Sequence, residues 1–384
     1  MWYCKACDEP IFADESDLPV NPLTEQPKKP CSKCGSTEFV PEQDILDTWA
    51  TSSLTPLINA NWATGQKYMD KIYPMALRPQ AHDIISFWLF TTVVKCYLHT
   101  KKLPWKDVLI SGHGLDAKGM PMHKSAGNII EPKVVIEKYG ADPLRHWASI
   151  SRLGDDASFQ EKDIMTGSKL VNKLWNVAKF VGMNNVIDSK EPVNPIDRWI
   201  MSRLILTVKN ATEMLDEYNY AGAKRQIDEF FWFFCDNYLE FIKYRTYGND
   251  TSANRTLNEV FLSVVKMLAP FMPYITEEIY LELYSKSDGA RSVHISKWPD
   301  FGSRIVDETA LANGDEAWRT IISIRQWKHD NKKALNAELR EVVISKDIGE
   351  LAKDVKGAMN IKNMRVGNGV LKVPETDISI EIKE

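Results

Sequence analysis

Four cysteines near the start have the spacing of a metal site. Cys4 and Cys7 form one Cys-x-x-Cys pair and Cys31 and Cys34 a second, with 23 residues between them. Each pair supplies two sulfurs from one tight turn, so together they can close a tetrahedral thiolate site for structural Zn2+. Gly35 eases the second turn. Four protein ligands leave no open coordination position, which excludes a catalytic ion. The competing readings are disulfides, which suit a reducing compartment poorly, and redox cysteines, which rarely come as matched pairs. The intervening segment carries Pro19, Pro22, Pro27 and Pro30 and little apolar pattern, so it needs a clamp to fold. Cys96 and Cys235 sit among aliphatic and aromatic residues and read as core.

The second chemical feature is "GMPMHKSAGNIIEP" (119–132), a turn-rich run that sets Lys124 beside Ser125. It is either an ordinary connecting loop or a mobile loop that holds phosphate. Upstream, "DVLISGHG" (107–114) reads as a buried strand ending in a glycine turn. Gly112 and Gly114 would let the backbone approach a ligand, and a plain turn explains them equally well. "AHDIISFWLFTTVVKCYLHT" (81–100) suits a largely buried helix, and "EPKVVIEKYG" (131–140) a short helix stopped by Gly140. Alternation of this kind predicts an α/β domain with ligands at strand C-terminal ends.

From about residue 166 the pattern becomes helical. Leu170, Leu174, Val177 and Val181 recur at helical spacing, as do Ile200, Leu204, Val208, Ala211 and Leu215. Phe231, Phe234, Tyr238, Phe241 and Ile242 form an aromatic face, and Phe261, Val264, Val265 and Leu268 another. Four or five such helices make an all-α bundle. Pro270 and Pro273 separate two of them. The tail, 306–384, predicts a helix beginning near Trp318 and two strands, "REVVIS" and "DISIEI", as a small α/β domain. Arg325, Lys328, Lys332 and Lys333, between Arg319 and Arg340, form the densest basic stretch; it serves equally as an RNA-backbone contact or a solvated helix face.

With 384 residues the chain has room for two to four domains, and its 44% hydrophobic content fits a globular core. A formal net charge of -4 confines any RNA contact to a local patch. No apolar run approaches the ~18 residues of a membrane span. The start has no signal-peptide layout, so a cytoplasmic location is expected.

"DILDTWATSSLTP" (44–56), "RPQAHDIISFWLF" (78–90), "LISGHGLDAKGMPMHKSAGNIIEP" (109–132) and "YGADPLRHWA" (139–148) occur in that order. Together they resemble the C-terminal half of the catalytic domain of valyl-tRNA synthetases, which are class I aminoacyl-tRNA synthetases. "LVNKLWNVAKFV" and "LAPFMPYITEEIY" resemble that family's anticodon-binding bundle. The resemblance implies a zinc-binding insertion (1–44), the second half of a Rossmann-like catalytic domain (45–165), an anticodon-binding bundle (166–305) and a small C-terminal domain (306–384).

The resemblance also assigns roles. Residues 121–125 align with the KMSKS loop, which closes over ATP phosphates. Met122, Lys124 and Ser125 match it; Gly127 and Asn128 match the residues after the motif. Lys124 would be the cation on the leaving phosphates, where a positioned charge favours the transition state. Pro121 stands where the first lysine is expected and His123 where the first serine is, so one fixed charge replaces two. An imidazole is a pH-dependent substitute. Trp49 and Ile84 match positions lining valine, with plain core packing as the alternative. Asp83, Gly112, His113 and Gly114 match the adenosine side, where His82 and His113 serve equally as structural histidines.

The family's HIGH motif and editing domain do not occur in this sequence. The resemblance therefore implies a C-terminal portion, with a separate N-terminal half completing the site for valine, ATP with Mg2+, and valine tRNA. Arg198, Arg203, Lys224, Arg225, Lys243 and Arg245 are candidate tRNA contacts on the bundle. The rival readings are a non-catalytic tRNA- or RNA-binding paralogue and an isoleucyl-tRNA synthetase relative.

Overall fold

Trp2 organises the first forty residues. Its indole is buried and donates to the carbonyls of Pro22 (3.2 Å) and Glu25 (2.9 Å), which anchors the Pro-rich segment. It lies on β1 (Trp2–Cys4), the middle strand of an antiparallel sheet with β2 (Pro10–Ile11) and β3 (Phe39–Pro41). The structure, a computed structural model, describes residues 1–62, 64–184 and 194–383. The chain divides into two units, Met1–Leu109 and Ile110–Glu384. The four-part division expected from the sequence is finer than this and remains a proposal.

The rest of the first unit is short elements. α1 (Trp49–Ser52), α2 (Thr55–Asn59) and α3 (Gln66–Ile72) lead into β4 (Met75–Ala81). A 3₁₀ turn (82–84) and a π turn (85–90) run into α4 (Thr91–Thr100). β5 (Trp105–Ser111) pairs with β4. Leu57, Ala60, Met69, Tyr73 and Cys96 form a small core.

Two expectations need correction here. The segment 81–100 is helical but largely exposed: Phe87 is 61%, Phe90 63% and Leu98 63% accessible. Its apolar face, with Val94, Tyr97 and Leu98, is left open, and the described elements cover the side bearing Thr92 and Cys96. The strand expected at 107–114 spans 105–111 and is half-buried, because its described sheet has two strands only.

The second unit opens with β6 (Gly114–Leu115), which pairs in parallel with β7 (Ala157–Ser158). Between them, α5 (Pro132–Tyr139) starts on its proline and stops at Gly140, whose φ of 93° disfavours a side chain. α6 (Ala141–Ser149) follows. The bundle is α7 (Glu161–Met183), α8 (Pro195–Asp216), α9 (Tyr220–Phe233), α10 (Leu239–Tyr247), α11 (Thr251–Leu268) and α12 (Pro273–Leu283), followed by a single turn, α13 (Ser285–Asp288). Side-chain caps explain three starts: Asn194 accepts from Ile196 N, Asn219 from Gly222 N and Asp250 from Ala253 N. The expected apolar stripes face inward, and the prolines part α11 from α12 as expected.

α14 (Glu308–Asp330) starts ten residues before the expected Trp318, at an Asp307 cap. It crosses α8 closely: a Cβ on Gly314 would lie 2.2 Å from the Trp199 indole. Trp199 Nε1 (2.7 Å) and Arg203 Nη2 (2.6 Å) then share Asp315 Oδ1. β8 (Leu339–Ile344), α15 (Leu351–Met359), β9 (Ile361–Val366), β10 (Leu371–Lys372) and β11 (Ser379–Lys383) complete the chain, with strand order β10-β11-β8-β9 and β8 parallel to β9. One hydrophobic core runs from Leu170 to Ile380.

Several cations expected at the RNA-facing surface lie inside. Arg245 makes a bidentate pair with the fully buried Asp197 (2.9 and 2.8 Å) and also binds Asp250. Lys224 is buried against Asp228 and His146. Lys328 is fully buried and donates to the carbonyls of Leu335, Ala337 and Met359 at 2.7–2.8 Å. Arg325 donates to Asp236 O at 3.2 Å. A helical wheel cannot show that a long side chain has folded back to satisfy buried oxygens.

Asp354, on α15, extends the Arg245 cluster and accepts from Tyr244 Oη at 2.9 Å. Burial pushes its carboxyl up to about 6, with Asp197 adding, against the pull of Arg245 and hydrogen bonds from Tyr244 and Asn194. The folded state therefore holds this proton more tightly than the unfolded chain. Stability present below pH ~4 is lost as pH rises through 6, on the order of 2–3 kcal/mol. Asp354→Asn should match the parent at pH 4 and exceed it in urea unfolding at pH 7.5; lower stability at pH 7.5 would refute the assignment.

Candidate functional site

The cysteines converge as their spacing predicts. Cys4 Sγ lies 3.4 Å from Cys34 Sγ, Cys7 Sγ lies 3.6 Å from Cys31 Sγ, and all four sulfurs fall within 4.8 Å of one another. Sulfurs around a tetrahedral zinc stand ~3.8 Å apart, so the set fits the ion. Each pair sits on a tight turn, closed by Asp8 N to Cys4 O and Gly35 N to Cys31 O, both 2.8 Å. Gly35 has φ 74° and requires no side chain. As thiols Cys4 and Cys7 differ. Burial raises the Cys4 thiol, but the amides of Ala6 and Cys7 and the neighbouring sulfurs bring it down to about 6. At Cys7 the Glu9 amide favours thiolate, yet burial and the other three sulfurs push it up to about 12. A divalent cation would favour four thiolates together.

The Lys124 loop is built on Asp116 and Asn128. Asp116 Oδ1 accepts from Lys118 N and Met120 N, both 2.9 Å, and its Oδ2 accepts from Asn128 Nδ2 at 2.9 Å. Asn128 also donates to Pro121 O (3.0 Å) and accepts from His123 N (2.9 Å). These bonds hold the Asp116 carboxyl below its ordinary range, the Asn128 amide contributing most. Residues 124–126 then make one 3₁₀ turn, closed by Gly127 at φ 65°. Lys124 and Ser125 are exposed, and the Lys124 ammonium has no ion-pair or hydrogen-bond partner among the described residues. Met122 is half-buried and packs back toward Gly114.

The glycine turn behaves differently from the expectation. A Cβ on Gly112 would lie 2.0 Å from Asp155 O, so its close approach is to this chain's own backbone. His113 N donates to Asp156 Oδ1 at 2.7 Å, which fixes the same turn. Asn128, expected at a nucleotide, spends its amide inside the loop. Sequence reading missed Asp116, although an acidic residue before a glycine turn is a recognisable loop former.

In the first unit, α1 holds Trp49, whose N–H donates to Asp47 Oδ1 at 2.7 Å. Its ring lies parallel to Phe87, with centroids 6.3 Å apart. Trp88 Nε1 donates to Ser52 O (3.0 Å) and Lys95 Nζ to Ala50 O (3.0 Å), so α1 is tied to the 85–100 helix. Ile84 is half-buried and Asp83 exposed in the preceding turn. Arg78 lies 3.1 Å over Trp88, and burial brings its guanidinium down to about 10. Phe87, Trp88 and Arg78 were not picked out from the sequence. The signal was Trp88, four residues after Ile84 on a helical run.

Comparison with known proteins gives a class first. Residues 14–160 match the family of class I tRNA synthetases (I, L, M and V), and residues 197–363 match the anticodon-binding domain of tRNA ligases. A ternary complex of Agrobacterium radiobacter K84 agnB2 LeuRS with tRNA and LeuAMS shares the fold, with a TM-score of 0.61 over 81% of this chain and 42% of that chain at 18% identity.

The particular relatives are valine–tRNA ligases. That of Methanocaldococcus jannaschii is 39% identical over 96% of this chain and 43% of its own length. Those of Haloarcula marismortui (38%; 95% and 41%) and Picrophilus torridus (39%; 96% and 48%) agree. The chain is thus a homologue of the valine–tRNA ligases, and it spans somewhat under half their length.

Purified chain should retain one zinc, and Cys31→Ser should lose it and open the 5–30 segment to protease. Protease resistance that survives metal stripping would count against a structural ion. Asn128→Ala should raise hydrogen exchange at the His123 amide by about 3–10-fold, the weight of one hydrogen bond; unchanged exchange would show that the clasp does not order the loop.

Proposed function

We propose that the chain supplies the phosphate-binding loop, part of the amino-acid pocket and the tRNA-binding bundle of a valine–tRNA ligase. The observation that carries this is Lys124, without a partner among the described residues, on a loop clasped from below, in a homologue of that enzyme family. In the reaction, the valine carboxylate attacks the α-phosphate of ATP, held with its Mg2+, and pyrophosphate leaves. The activated acyl group then passes to the terminal ribose of valine tRNA. Charge builds on the leaving phosphates, where the Lys124 ammonium stabilises it. Ser125 and His123 are its nearest companions on the loop, and Met122 seats it. Gly112, His113 and Gly114 take the adenosine side. Trp49 and Ile84 form the valine wall, with Asp83 accepting a ribose or amino hydrogen bond. Cys4, Cys7, Cys31 and Cys34 hold a structural zinc that takes no part in the chemistry.

The reading includes the four-part division at 44/45, 165/166 and 305/306, a cytoplasmic setting and a separate N-terminal catalytic half as partner. No described helix is long and apolar enough to cross a membrane. The exposed Phe87, Phe90 and Leu98 support a polypeptide partner, since large apolar side chains grouped on one segment mark contact surfaces. Pro121 and His123 favour the second reading, a tRNA-binding relative without catalysis.

The chain alone should show negligible valine-dependent ATP–pyrophosphate exchange. Adding a polypeptide matching the uncovered half of the relatives should restore it, and Lys124→Ala should then lower the rate on the order of 10²–10³. Vigorous exchange by the chain alone would contradict the partner requirement. A reconstituted mixture that binds tRNA without exchange would establish the non-catalytic reading.

A further inference from the structure

The second unit contains a cavity of about 930 Å³ that the proposed reaction does not use. It lies between the end of α6, one side of α7 and the α8–α9 turn. Its size suits a small planar ligand. Three features define its chemistry.

The floor is a buried polar group. His146 is 5% exposed, and its Nδ1 lies 3.1 Å from Lys224 Nζ, which also pairs with Asp228. An ammonium can only donate, so Nδ1 accepts and the imidazole carries its proton on Nε2. Burial, and then the Lys224 charge, hold His146 down to about 4, so it is neutral near pH 7. Its Nε2–H has no partner among the described residues. Asp228 Oδ1 is enclosed and also lacks one. The floor therefore presents one donor, the His146 Nε2–H, while Asp228 Oδ1 is sealed behind it.

The walls are aromatic and apolar, with Trp232, Tyr220 and Leu153 among them. At the mouth stand Arg152 and Arg225, both exposed, with no ion pair among the described residues. The N-terminus of the 14-residue α9 opens beside them. Glu217 and Glu229 share the rim and confine an anion to the arginine side.

A base edge with a ring acceptor, a flat face for an indole and one phosphate for two guanidiniums complement this arrangement. We propose that the cavity seats a single nucleotide, base inward against His146, phosphate outward to Arg152 and Arg225. The nucleotide is either a free mononucleotide or an unpaired residue of a bound RNA. Only the RNA source rests on the tRNA-binding reading above.

The test is equilibrium dialysis of the full chain with AMP, CMP, GMP, UMP, ribose 5-phosphate and inorganic phosphate, alongside a tRNA titration. Arg225→Glu changes an exposed residue and should leave the fold intact. Mononucleotides should bind, ribose 5-phosphate should bind at least about tenfold more weakly, and Arg225→Glu should weaken the nucleotides about tenfold or more. Histidine-labelled NMR should show the His146 Nε2 signal shift on binding. If mononucleotides fail but Arg225→Glu weakens tRNA binding, RNA is the source. The proposal falls if ribose 5-phosphate equals the nucleotides, or if Arg225→Glu changes neither nucleotide nor tRNA affinity. Failure of the unaltered chain to bind any tRNA, with nucleotide binding intact, would instead overturn the ligase reading and leave this site standing.

Discussion

The helical part of this protein depends on one buried guanidinium. Arg245 pairs with Asp197 through two hydrogen bonds, and Asp197 also accepts from Tyr238 and Ser252. A fully buried carboxylate is tolerable only when its lone pairs are taken, and here four donors take them. Those donors come from α10, α11 and the turn before α10, while Asp197 sits in the first turn of α8. Tyr244 carries the cluster on to Asp354 of α15. α15, which packs on the C-terminal sheet, is thus fixed to the bundle by directional bonds as well as by shared apolar surface. Gly314 lets α14 reach Trp199 on the same side.

The readable part of the fold was the part governed by local rules. Apolar periodicity, broken at Pro270 and Pro273, marks the bundle, and paired cysteines mark the thiolate cluster; the caps at Asn194, Asn219 and Asp250 were not picked out. The unreadable part turned on where long polar side chains end. Lys224, Arg245 and Lys328 look like surface charges in one dimension. Each folds inward because a carboxylate, an imidazole or a set of loop and helix-end carbonyls waits there, and only the tertiary structure brings those groups near. The segment 81–100 failed in the opposite sense. Its composition says buried, but burial needs covering elements, and the described chain supplies them on one side only.

At the candidate sites the same division holds. Lys124 was legible from its type and its neighbours. Asp116, which shapes its loop, was not singled out, because its partners lie up to twelve residues away. Gly112 was legible as a close approach, but what approaches it is the Asp155 backbone. Trp88 and Arg78 were hidden because cation–aromatic stacking joins a strand to a helix turn with no sequence spacing of its own.

The two departures in the loop can be weighed against its hydrogen bonds. At position 121 the loop uses the carbonyl, which accepts from Asn128. Proline keeps a carbonyl, so the residue lost at this position is a charge and the clasp is untouched. At position 123 the loop uses the backbone N–H, which donates to Asn128 Oδ1, and histidine keeps that too. Both changes therefore preserve the shape of the loop and alter only what it presents to solvent. Shape is set from below by Asp116 and Asn128; charge is set from above by Lys124. Because the two are separable, the loop can lose one cation without losing its fold. On the phosphate-binding reading proposed above, any consequence falls on how strongly it stabilises departing negative charge.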